Sequence, residues 1–264
     1  MSGRPNNIEK GYFGESGRQV HFRRSGSKKI GAEKAKWNET PLLCLPPAPH
    51  SGAFFESFIG DIAEKRTVIV PDCPGYGGSD RIEKPDISIS DYANRLAICF
   101  DGLSKVDLFG FHSGTLIAIE MARIFPNIVG DITLVDIPCF NKSVRDTQTS
   151  KLKTGLPSDI GGSYDRAVTQ RRAGINEDRA FELWVETLRS GRFQSDLFRA
   201  AFAYDCEKEF PDFDRLVTVI ATQSGLLEAT RQAAELLPKA NLIERLDILP
   251  PTFEIHANDI ADLI

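Results

Sequence analysis

Short apolar runs alternate along the chain with longer stretches in which apolar residues return every three or four positions. Gln19 to Arg23, Pro41 to Leu45 and Thr67 to Pro71 read as strands, and Phe54 to Glu64, between the last two, reads as a helix. Tyr92 to Leu103 has amphipathic helical spacing and leads into the strand-like run Val106 to Phe109; a second helix, Gly114 to Arg123, follows and stops near Pro126. Ile132 to Val135 and Leu216 to Ala221 read as buried strands, and Leu242 to Leu246 as the last one. Such alternation predicts an α/β fold: a mostly parallel sheet flanked by helices. Between Cys139 and Asp214 the strand pattern stops. A helical run through Phe181 to Leu188 and another around Leu197 to Tyr204 predict a helical cap inserted above the sheet. The expected organisation is a core made of 1–138 and 215–264, with 139–214 as the cap. Phe181, Trp184, Phe193, Phe198 and Phe202 suit an apolar helical face within it, and Trp184 is a candidate to line a ligand site.

Composition narrows the class without changing this picture. With 264 residues, 41% of them hydrophobic, and a mean hydropathy of -0.22, the chain can bury a large core as one domain with an inserted subdomain. No run is apolar enough for a membrane span, and the polar start from Met1 to Asn7 lacks a signal core. The five dispersed cysteines, Cys44, Cys73, Cys99, Cys139 and Cys206, contain no C-x-x-C pair, which points to reduced, buried thiols in a cytoplasmic protein. A net charge of -5 and a pI of about 5.5 argue against nucleic acid as the main partner, leaving a small-molecule substrate or ligand and no membrane. The basic stretch from Lys28 to Lys36 reads as a solvated loop.

The chemistry centres on Gly110-Phe111-His112-Ser113-Gly114, where a strand enters a helix through two glycines. In the G-x-S-x-G nucleophile elbow the glycines permit a strained turn and close strand-helix packing, and the central side chain projects beyond the sheet. Here the centre is His112. Ser113 falls one place later, where the backbone N-H carries the usual role. A second motif, Asp72-Cys73-Pro74-Gly75-Tyr76-Gly77-Gly78-Ser79, follows a core strand and reads as a structural loop of tight turns.

Together these motifs resemble the α/β-hydrolase superfamily, from about Gly11 to the C-terminus. The turn is similar to a subgroup with histidine at the elbow, G-x-H-[ST]-G. The resemblance implies an α/β-hydrolase fold and no cofactor, and it locates where a catalytic triad would lie. The nucleophile position falls on His112. The acid position falls in Thr222-Gln223-Ser224-Gly225-Leu226, which contains no carboxylate, and the late histidine position falls near Thr252, with His256 a few residues beyond. Where the family has H-G-x-P, this chain has Pro46-Pro47-Ala48-Pro49. Ala48 keeps an N-H, so Ala48 and Ser113 are the expected amide donors of an oxyanion hole.

An unperturbed imidazole is mostly neutral at pH 7, so His112 is a candidate general base or nucleophile acting without a serine. Asp136, at the carboxyl end of the next strand, is the candidate partner, with loop bracing as its structural alternative. His50, Ser51 and Phe111 are expected to border the substrate, Ser51 also being placed to cap the helix through Phe54. No metal is implied, since His50 and His112 lack a carboxylate shell. The function expected is hydrolase or lyase-like action on a small acyl or carbonyl compound; the alternative is a non-catalytic protein that binds a ligand or partner in the same pocket.

Overall fold

The apolar runs lie side by side as strands in the computed structural model, which describes residues 8–25, 40–63, 65–153, 155–156, 160–171 and 175–264. The strands are β1 (Glu9–Phe13), β2 (Val20–Ser25), β3 (Leu42–Leu45), β4 (Val68–Pro71), β5 (Val106–Phe111), β6 (Val129–Val135), β7 (Val217–Thr222) and β8 (Ala240–Arg245). They form one sheet in the order β1-β2-β4-β3-β5-β6-β7-β8. The pairs from β4 to β8 are parallel, while β2 runs antiparallel to both β1 and β4. The central strands are buried on both faces, so their side chains alternate between two cores. Leu43, Leu45 and Leu108 enter one core; Leu42, Cys44, Phe109 and Phe111 enter the other.

Helices cover both faces. On the Phe111 face lie a 3-10 turn (Gly52–Phe55), α1 (Glu56–Ala63), and two short C-terminal helices, α10 (Thr252–Ile255) and α11 (Ala257–Ala261). On the other face lie α2 (Ile89–Leu96), α3 (Ser113–Ile124) and α9 (Leu227–Leu236). The helix expected from Tyr92 starts earlier, because Ser88 and Asp91 close a capping box ahead of it, and its end tightens into a 3-10 turn at Ala97–Phe100. The sequence did not give away β1 or α9: β1 is an edge strand with an exposed, polar pattern. His256 sits at the joint between α10 and α11 and is hydrogen-bonded through Nδ1 to Asp259 Oδ2 at 2.8 Å.

Among the described residues, only helices lie between β6 and β7: α4 (Lys142–Lys151), α5 (Ile160–Arg171), α6 (Glu177–Leu188), α7 (Asp196–Ala203), α8 (Cys206–Glu209) and one 3-10 turn. One of them, α7, is fastened to the core at both ends. The Tyr76 hydroxyl donates to Gln194 O at 3.1 Å and accepts from Leu197 N at 2.9 Å, holding the start of α7 on the loop after β4. The Tyr204 hydroxyl donates to Glu120 Oε1 of α3 at 2.9 Å. No described helix is long and apolar enough to cross a membrane. The stretch from Lys28 to Lys36 lies outside the described residues.

Candidate active site at the strand ends

The turn between β5 and α3 is held by backbone contacts that leave no room for larger residues. A Cβ on Gly110 would lie 2.7 Å from Gly114 O, and one on Gly114 would lie 2.1 Å from Leu45 O. His112, at the apex, has φ 48° and ψ -122°. That left-handed backbone is costly for a non-glycine residue, about 1–3 kcal/mol, so neighbours must fix it. They do: His112 N donates to Val135 O at 3.1 Å, and its carbonyl accepts both Thr115 N at 2.9 Å and Thr115 Oγ1 at 2.6 Å.

The next strand ends in the same way. Asp136 follows β6 with φ 53°, and its N-H donates to Ile220 O at 3.1 Å. Two non-glycine residues with left-handed backbone therefore sit at the carboxyl ends of adjacent parallel strands. Asp136 is fully buried. Thr222 holds its carboxylate, donating its N-H to Oδ1 at 2.9 Å and its hydroxyl to Oδ2 at 2.6 Å. Thus Asp136 reaches His112 through its charge, while its described hydrogen bonds go to Thr222. Burial pushes the His112 imidazole down from 6.5 to about 4, against the opposing pull of the Asp136 charge, so the ring is neutral at pH 7.

The loop after β3 changes the expected picture of the amides. Ala48 N, rather than standing open, donates to Ser113 Oγ at 2.8 Å. The Ser113 N-H, first in α3, has no partner within its own helix. Ser51 is fully buried, and its hydroxyl accepts Ala53 N at 3.2 Å. It thereby caps the 3-10 turn Gly52–Phe55, as expected. His50 packs on Phe54 with ring centroids 4.9 Å apart; Phe54 stacks on Phe111 at 5.6 Å, and Phe111 lies against His112 at 4.0 Å. Phe253, next to buried Thr252 in α10, closes the group at 4.8 Å from Phe111.

A family profile described as alpha/beta hydrolase fold matches residues 40–160, which span the loop after β3, the Asp72 loop and the turn. Among curated proteins, none is significantly similar in sequence. Solved structures extend the likeness to the whole chain. An esterase from Rhodococcus has a TM-score of 0.72 at 17% identity, over 100% of this chain and 97% of its own. E-2-(acetamidomethylene)succinate hydrolase has a TM-score of 0.72 at 17% identity, over 97% of each chain. A thermophilic esterase from Thermogutta terrifontis has a TM-score of 0.69 at 16% identity, over 97% of this chain and 96% of its own. This is an α/β-hydrolase fold.

Within this α/β-hydrolase fold, the Asp72 loop is structural, as its turns suggested. Asp72 accepts Gly52 N at 2.7 Å, Gly78 N at 2.8 Å, Arg23 at 2.8 Å and pairs with His21 Nδ1 at 2.8 Å. The network continues from Arg23 through Glu56 at 3.0 Å to Arg179 of α6, which also donates to Ala53 O at 2.8 Å and Glu254 Oε1 at 2.9 Å. Arg179 thus ties a helix of the β6–β7 segment to the 3-10 turn Gly52–Phe55 and to α10. Sequence reading missed it because only the aromatic residues of α6 stood out. Trp184 joins two helices of this segment: its Nε1 donates to Ser163 Oγ at 3.2 Å, and its ring packs on Tyr164 and Phe181 at 4.9 and 5.9 Å. Those described contacts all lie within α5 and α6, where Trp184 is half-buried. Thr222 was also missed; a hydroxyl at a strand end signals nothing until its partner, far away in sequence, is known.

Proposed function

We propose that this chain is a cofactor-independent enzyme of the α/β-hydrolase type, hydrolase or lyase-like, acting on a small acyl or carbonyl compound, with the neutral imidazole of His112 in the serine's place. The observation that carries this reading is the paired backbone strain at His112 and Asp136. Nothing in the packing of an ordinary sheet requires two left-handed non-glycine residues at neighbouring strand ends, and such strain gathers where side chains must be aimed.

Two routes follow from a neutral imidazole. As a general base it takes a proton from bound substrate; as a nucleophile it attacks the acyl carbon and breaks its bond to the leaving group, which departs with a proton, and water then cleaves the acyl-imidazole to the carboxylic acid and free imidazole. Both create positive charge on the ring, and the buried Asp136 carboxylate stabilises that charge. The helices between β6 and β7 act as a cap over residues 139–214, and the histidine marks a subgroup with G-x-H-[ST]-G. A cytoplasmic setting suits five free, buried thiols.

A second reading, a non-catalytic ligand-binding protein, is favoured by one contact: the Ala48 amide is already satisfied by Ser113. The two readings part under a panel of small esters, thioesters and activated ketones assayed with the wild type and His112→Ala. Turnover that vanishes in His112→Ala supports the enzyme. Full activity in that variant removes His112 from the mechanism. Binding of a panel compound without turnover in either protein supports the second reading, and labelling of Ser113 by a serine-directed phosphonate moves the nucleophile one residue along.

A further inference from the structure

The acceptor place beside the Ala48 amide is filled by the chain itself. Ser113 Oγ lies 2.8 Å from Ala48 N, a good hydrogen-bond length, in a residue that is only 5% exposed. The backbone around it is fixed independently: Thr115 binds the His112 carbonyl with both its amide and its hydroxyl, and Gly114 lies against Leu45 O. Rotation about the Cα–Cβ bond of Ser113 therefore removes the oxygen from Ala48 without moving either loop.

We propose that the Ser113 hydroxyl is a built-in occupant of the oxyanion pocket. It satisfies the Ala48 amide while the site is empty and turns away to admit a carbonyl oxygen, so residue 113 sets which carbonyl compounds the site accepts. This rests on the reading of the two amides as an oxyanion pocket. An incoming carbonyl must replace a hydrogen bond that is already made, and a small ester with few other contacts gains too little to do so. The favoured class is an acyl or carbonyl compound whose remaining groups are apolar or aromatic, held by Phe54 and His50 on the wall beside His112. Such a pocket discriminates by what the rest of the molecule contributes.

The test uses the full-length protein, 15N-labelled, with 4-nitrophenyl acetate as the small-ester probe. In Ser113→Ala the Ala48 amide should exchange with solvent at least roughly tenfold faster, and kcat/KM for the probe should rise about tenfold as a donor is released. Ser113→Thr, which keeps an acceptor oxygen, should restore slow exchange. Unchanged exchange in Ser113→Ala overturns the proposal, as does a freed amide with no gain in turnover. The double variant His112→Ala, Ser113→Ala separates this from the mechanism: a gain that survives leaves Ser113 assigned and removes His112 from the chemistry, whereas a gain that disappears supports both.

Discussion

Asp72 and Asp136 are both buried carboxylates, 1% and 0% exposed, each just past the carboxyl end of a parallel strand, yet their surroundings are opposite. Asp72 is surrounded by donors and cations: two loop amides, the Arg23 guanidinium and the His21 ring. Burial alone would raise its carboxyl, but the His21 hydrogen bond, the Arg23 charge and the Gly78 amide outweigh it and hold it below the ordinary value. Asp136 has the two donors of Thr222 and, among the described residues, no lysine or arginine paired with it. A charge with its cations in place serves architecture. A charge left beside a neutral imidazole is what the proposed mechanism calls on when its reaction creates a cation, and that is the lesson of the pair.

The largest effect that can break this comparison is on stability. Asp72→Ala takes the acceptor from two amides and leaves the buried Arg23 with Glu56 alone, and chemical denaturation should show a loss of about 3–5 kcal/mol. A loss near zero would make Asp72 as dispensable to the fold as the comparison makes Asp136. Next comes a pH effect at His112. Its folded value is about 4 against an ordinary 6.5, so between those pH values the unfolded chain binds the additional proton. Stability should therefore fall as pH drops through this window, by about 3 kcal/mol for this group, and be unaffected by it above. Denaturation curves of wild type and His112→Gln from pH 7 to 4 should diverge by that amount; parallel curves would show that the ring is not held neutral by burial.

The smallest expected effect is the most specific. In Asp136→Asn the amide can still accept Thr222 N and donate to the Thr222 hydroxyl, so stability should change by about 1 kcal/mol or less. The His112 titration, followed by its ring proton resonances, should move further down, because the charge that raises it is gone. A rise, or a stability loss matching that of Asp72→Ala, would make Asp136 a second architectural carboxylate.

Much of the frame was legible in the sequence because it depends on local pattern. Buried strands such as Val106–Phe111 are continuous apolar runs, and the turn announces itself through Gly110 and Gly114. The polar edge strand Glu9–Phe13 has no such pattern. Position in the motif made His112 a candidate, and placement at a strand end made Asp136 one. What escaped were side-chain partners distant in sequence: Thr222 on Asp136, Ser113 on Ala48, and Arg179 between Ala53 and Glu254. Each is a choice among polar groups that becomes determinate only once the backbone has brought the candidates together.

Gly114 has a consequence for how such a protein changes over generations. Its backbone approaches the Leu45 carbonyl so closely that a Cβ there would lie 2.1 Å from the oxygen, and Leu45 immediately precedes the Ala48 loop. At this point the two segments that frame the site thus rest on each other through main chain. Mutation can exchange the side chains around this joint while the main-chain contact that sets the frame is kept. A lineage built this way can wander among reactions without first having to rebuild its pocket.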